Sequence, residues 1–175
     1  NTGITTLLSL SQNIKHCFAV EPSSRECVKF MKNMALNKKK NVTLLNCAFT
    51  SNALSKQSFS QLYIADNTNT GKNSLFKPHL NNNELEEVTS VFQTSFDTIF
   101  YATNCIEDIA VIKIDCEGAE YQVLQGMEQS MNQLKHAVFI IELLENSPTN
   151  KDIYDWFNAR GFIPQYPVAN EQDVE

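Results

Sequence analysis

The chain has 175 residues, 42% of them hydrophobic, which sets one domain with a single substantial core as the expectation. Fourteen basic against twenty acidic residues give a net charge of −6, so the phosphate attraction that dominates nucleic-acid binding is lacking and no nucleic-acid partner is expected. No apolar stretch approaches the roughly 20 residues that span a bilayer, and the first residues lack the basic-then-apolar layout of a signal peptide, so a soluble protein is expected.

In chain order, residues 5–14 carry leucines and isoleucines on one side and predict a first helix; residues 17–20 are a short apolar strand closed by Glu21-Pro22. Ser23 followed three residues later by Glu26 has the form of a capping box. Val28, Phe30, Met31, Met34 and Leu36 then supply the apolar stripe of a second helix that runs to residue 37. Lys38, Lys39 and Lys40 read as a solvated turn that complements the helix dipole, and residues 42–47 predict another strand. Between about 50 and 94 the pattern loosens into Ser, Asn, Gln and Thr with short alternating pieces, which predicts a polar insertion of loops and short strands, with turns at 67–73 and 81–83. Insertions carried on a rigid sheet are where substrate selection usually lives.

Regular alternation then resumes. A helix is expected at 96–103, a strand at 109–114, a helix at 119–131, a strand at 137–143 and a helix at 149–159 that Gly161 stops. Residues 162–168 suggest a further strand, placed at an edge by Pro164 and Pro167. Strands alternating with helices imply an α/β fold with a doubly wound, mostly parallel sheet. The 109–114 segment is β-branched and nearly continuously apolar, as expected of a central strand covered on both faces. It ends in Asp115, Glu117 and Glu120 just where the next helix begins, which is where an open α/β sheet keeps its active site.

Cys17, Cys27, Cys47, Cys105 and Cys116 are odd in number and contain no C-x-x-C pair, so neither a zinc site nor a disulfide scaffold is expected. Reduced, buried thiols in a cytoplasmic protein are the simplest account. A sequon at Asn41-Val42-Thr43 has no secretory context to support it.

The run K-I-D-C-E-G-A-E-x-x-V-L-x-G at 113–126 resembles the signature of the FkbM family of S-adenosylmethionine-dependent methyltransferases. Three further segments fit the same family in the same order: Asn1-Thr2-Gly3 as the tail of a G-A-N-x-G loop, Ala19-Val20-Glu21-Pro22, and Phe139-Ile140-Ile141-Glu142. The resemblance implies a Rossmann-like class I methyltransferase fold, adenosylmethionine as cofactor, and transfer of a methyl group to a hydroxyl of a sugar, glycan or related metabolite. It also places a strand and the first loop glycine before Asn1, and a last antiparallel strand after Glu175, so truncation at both ends is expected. A missing central strand would leave backbone groups unpaired in the interior unless another segment fills the gap.

On that resemblance, Glu21 at the end of its strand accepts hydrogen bonds from the ribose hydroxyls, as an acidic residue does in dinucleotide folds. Asn1, Thr2 and Gly3 shape the loop beside the methionine part, and Asn46, Cys47 and Ala48 fall where adenine contacts lie, with Phe49 more often core than stacking platform. Asp115 holds the methionine ammonium or orients the acceptor hydroxyl. Glu117 on the next turn faces substrate, and Glu142 faces the same crevice from the neighbouring strand. An acid at Glu120 is favoured in a first helical turn for structural reasons alone. Lys113 shares a strand face with Asp115, and a structural ion pair is its expected use. His79 in the insertion is a candidate mobile base, and Asn73 and Ser74, in a Gly/Asn-Ser-Leu stretch similar to the family's, are candidate acceptor contacts. No metal site is expected. A non-catalytic module of the same fold is the alternative; a nicotinamide oxidoreductase is disfavoured, since no G-x-G-x-x-G is present.

Overall fold

Two short apolar segments with matching period make the first layer. In the computed structural model, which describes residues 2–12, 14–65, 72–75, 85–145 and 147–165, β1 (Cys17–Val20) and β2 (Val42–Leu45) pair in parallel, Cys17 opposite Val42. Helices α1 (Ile4–Leu10) and α2 (Ser24–Leu36) cover one face of this pair, where Leu10, Phe30 and Met34 pack with Cys17, Ala19, Val42 and Leu44. The buried stripe of α2 is narrower than its sequence suggests. Cys27, Phe30 and Met34 turn inward, whereas Val28, Met31 and Leu36 face solvent.

The capping box at the start of α2 is half formed. The Ser23 hydroxyl accepts from the Glu26 N–H (3.4 Å), but the Ser23 N–H donates to Glu21 Oε1 (2.9 Å) and not to Glu26. The Glu26 carboxylate, buried, pairs with Lys29 (2.8 Å). One acid is thereby drawn back from the strand end to the helix start.

The insertion is more ordered than its composition implies. After β3 (Ala48–Phe49), strands β4 (Phe59–Ala65) and β5 (Leu85–Thr94) form an antiparallel pair from Phe59 opposite Phe92 to Ala65 opposite Leu85, and β3 lies parallel to the end of β5. Alternation of period two puts Leu62, Ile64 and Val91 on the inner face with Ala48. The expected turns at 67–73 and 81–83 fall largely outside the described residues.

Helix α3 (Phe96–Phe100) follows, then β6 (Val111–Ile114), α4 (Glu120–Gln125), β7 (Val138–Ile141) and α5 (Asn150–Asn158). β6 and β7 pair in parallel, Val111 opposite Val138. Ile114, Leu124, Met127, Leu134 and Trp156 centre the main core, to which Leu45 and Phe49 also pack. The Phe18 ring meets Phe100 edge-to-face with centroids 5.1 Å apart, so α3 ties the β1–β2 layer to this core. Asp97, buried on α3, accepts from the Gln129 and Ser130 N–H groups (both 3.0 Å), the Ser130 hydroxyl (2.5 Å) and the Asn52 amide (2.7 Å), which locks the helix to the segment after α4. At Gly126 a Cβ would lie 2.1 Å from the Thr50 carbonyl oxygen, so only glycine lets those backbones meet.

The described strands form two parallel pairs and one mixed sheet, a mixed α/β arrangement. Two expectations change. β6 and β7 are covered on one face: Ile112, Ile114, Phe139 and Ile141 pack inward, while Val111, Val138 (58% exposed) and Ile140 on the other face meet solvent among the described residues. Residues 162–165 form no strand; Gly161 (φ 80°) ends the preceding helical turn as expected, and Phe162 packs against Phe139 and Phe157. Residues 166–168 lie outside the described residues.

Candidate functional site

Two acidic strand ends define the candidate site. At the first, Glu21 leaves β1 with its N–H donating to the Leu45 carbonyl (3.0 Å), and the residue is only 7% exposed. The Ser23 bond fixes the carboxylate's orientation. Asn46, expected among adenine contacts, spends its side chain on this turn: its amide donates to the carbonyls of Glu21 (2.9 Å) and Pro22 (3.0 Å), and its oxygen accepts from the Ser24 hydroxyl (2.9 Å). Cys47 and Ala48 are buried beside it, and burial pushes the Cys47 thiol up to about 11. Gly3 caps α1 with φ 86°, and a Cβ there would lie 2.7 Å from the Phe30 ring. Its small size is thus required by α2 packing. The Thr2 carbonyl accepts from the Asn33 amide (2.9 Å). Asn1 lies outside the described residues.

At the second, β6 runs into a turn with two consecutive left-handed residues, Glu117 (φ 52°) and Gly118 (φ 98°). A non-glycine residue there is strained and persists only when its surroundings hold it. They do so from two sides. Glu120 Oε1 accepts from the Cys116 N–H (3.0 Å) and the Gly118 N–H (3.1 Å), and the Ser74 hydroxyl donates to the Glu117 carbonyl (2.8 Å). Ser74 is 1% exposed and exchanges both backbone bonds with Tyr63 of β4 (2.9 and 3.0 Å). The polar insertion therefore braces the signature turn. Asn73 caps the same region, its side-chain oxygen accepting from the Ala65 N–H (3.0 Å).

Around this turn the charges oppose one another. Lys113 is ion-paired with Asp115 and lies 3.9 Å from Glu142, so one ammonium stands between the ends of β6 and β7 and leaves a net negative charge there. Glu117 is half-buried, and its carboxyl is held above the usual 4.5 by burial first, then by the nearby charges of Asp115, Glu120 and Glu142; Lys72 opposes the shift. A carboxyl of raised proton affinity, held in strained backbone at a strand end, is suited to accept a proton from a neutral hydroxyl. Burial, followed by the Glu120 charge, pushes the Cys116 thiol well above its usual range, which makes it inert as a nucleophile.

The sequence profile of the FkbM methyltransferase domain matches residues 3–164. The chain belongs to the FkbM methyltransferase family. It is a methyltransferase enzyme, and the family implies a methyl donor. The matched span takes in Glu21, the whole 113–126 run and Glu142. No curated protein and no solved structure matches the chain.

The FkbM domain's two acidic strand ends belong to different strand pairs, since β1 is paired with β2 and β6 with β7. Two cavities, of about 450 Å³ on the β4–β5 hairpin and about 340 Å³ beside Met131, Arg160 and Phe162, contain neither Glu21 nor Asp115. Among the described residues no group of three or more His, Cys, Asp or Glu has the arrangement of a metal site, and no helix is long and apolar enough to cross a membrane. His79 lies outside the described residues. Sequence reasoning missed the roles of Asn46 in fixing the Glu21 turn and of Ser74 in bracing Glu117. Ser74 and Glu117 are 43 residues apart in the chain, and no local pattern connects them.

Proposed function

We propose that this FkbM methyltransferase transfers the methyl group of S-adenosylmethionine to a hydroxyl of a sugar, glycan or related metabolite in the cytoplasm. The observation that carries the reading is Glu117, raised in proton affinity and held in left-handed backbone between Ser74 and Glu120. In this reading residues 1–175 form one domain, and the two parallel pairs are halves of one doubly wound sheet whose strand ends share a crevice. All five cysteines are free, which suits a reducing compartment.

Adenosylmethionine supplies an electrophilic methyl group on a sulfonium, so the protein has to align an oxygen and take its proton. Glu21 is buried, oriented by the Ser23 N–H and carries acceptor oxygens only, which fits the hydroxyls of a ribose. Asn46 acts through Glu21 by fixing its turn, with Cys47 and Ala48 forming the floor beside it; Thr2 and Gly3 line the methionine side, and Asn1 is a further candidate contact for the donor. Asp115, its charge shared with Lys113, holds the cationic amino acid end. Glu117 takes the proton from the acceptor hydroxyl, with His79 a second candidate for that step. Glu142 and Asn73 orient the acceptor, and Ser74 positions Glu117.

Incubation of the chain with isotopically labelled adenosylmethionine and a panel of sugars and glycans, read by mass spectrometry, tests this. Gain of one labelled methyl on an acceptor hydroxyl supports the proposal. A folded chain that binds the donor and labels no hydroxyl compound, or labels an amine or thiol in preference, refutes it.

A further inference from the structure

An open groove of about 450 Å³ lies along β4, lined from the outer face of the hairpin by Phe59, Gln61, Tyr63 and Ser90 and from its core side by Ser60 and Leu75. Alternation along β4 puts Phe59, Gln61 and Tyr63 on one side, and the register sets Phe92, Ser90 and Val88 across from them. Phe59 is 67% and Phe92 48% exposed, and their rings meet edge-to-face with centroids 6.2 Å apart. The Tyr63 hydroxyl donates to Gln61 Oε1 (3.1 Å), which orients the amide. Its nitrogen, a donor group, has no partner among the described residues.

Among the described residues no charged side chain lines this groove, in a chain with fourteen basic and twenty acidic residues. An ionic partner would lose hydration here without meeting a counter-charge. A neutral polyol matches the surface on both counts, since its C–H faces pack on the rings while its hydroxyls meet an amide and a serine hydroxyl. We propose that this face is a subsite for neutral sugar residues that flank the unit being methylated. It is joined to the chemistry by a short rigid path: Leu75 lines the groove, and the adjacent Ser74 is bonded both to Tyr63 and to the Glu117 carbonyl. The inference rests on the glycan reading of the acceptor given above.

The test uses the chain without added donor on an array of neutral and acidic oligosaccharides, followed by calorimetric titration of the strongest neutral ligand. Phe59→Ala and Phe92→Ala should each weaken that ligand at least tenfold, Gln61→Leu should weaken it also, and Phe59→Tyr should retain it, all with unchanged Tm because these side chains lie outside the core. Binding confined to acidic glycans, no neutral ligand, or a neutral ligand indifferent to both phenylalanines overturns the subsite. So does capture of a peptide along the β4 edge before Tyr63 that is indifferent to Phe92, since β5 is already paired with β3 and β4 and Tyr63 with Ser74. Adenosylmethionine is titrated into the same samples. Loss of donor binding with phenylalanine-dependent sugar binding intact would refute methyl transfer and leave the subsite standing.

Discussion

Replacing Glu117 by Gln separates catalysis from stability at one position. The substitution keeps the size and shape of the side chain but removes its ability to take a proton. Loss of a general base costs about 100- to 10,000-fold in rate, or about 3–5 kcal/mol of barrier. The folded carboxyl binds its proton more tightly than the unfolded one, whose ordinary value is 4.5. Ionisation therefore opposes folding as the pH climbs from 4.5 through the raised folded value, and the loss is complete above it. Glu117→Gln escapes this, so its Tm should exceed the parent's at pH 7 and converge on it near pH 4. Labelled methyl transfer between pH 5 and 9 would show the parent's rate rising through the acid limb that the variant lacks. A variant less stable than the parent at pH 7, or one retaining more than half the parental rate, refutes the assignment of Glu117 as the base.

Three further outcomes follow from the geometry. Gly126→Ala forces a Cβ onto the Thr50 carbonyl and should cost about 3 kcal/mol, lowering Tm by about 6–12 °C in thermal unfolding; a shift of a degree or less would show that the α4 end relaxes freely. Glu120→Gln keeps an oxygen for the Cys116 and Gly118 N–H groups and should stay close to the parent, whereas Glu120→Ala should lose about 3 kcal/mol in denaturant unfolding together with activity. Equal loss in both would mean that the charge itself matters. Cys47, with its thiol pushed up to about 11, should resist iodoacetamide in the folded chain at pH 8 and react on unfolding, as read by mass spectrometry.

Much of the fold was legible because its signals are local. The Ser23 cap, the apolar runs that became β1, β2, β6 and β7, and Gly161 after α5 all stand within a few residues of what they determine. The hairpin reads in the sequence only as short strands because Ser, Gln and Glu on outward positions of β4 and β5 break the period-two alternation into pieces. The stripe of α2 was over-read because Val28, Met31 and Leu36 are apolar yet exposed. At the site, the strand-end acids stood out from their position after apolar strands. What holds them did not, since Ser74 and Asn46 reach their partners across 43 and 25 residues, through contacts that only folding creates.

The most direct measurement is calorimetric titration of S-adenosylmethionine into the folded chain, its Glu21→Ala variant and its Asp115→Ala variant. The parent is expected to take up the donor at one site, and each variant to lose at least tenfold in affinity with the fold retained. A folded parent that takes up no donor, or variants that bind it as the parent does, would contradict it.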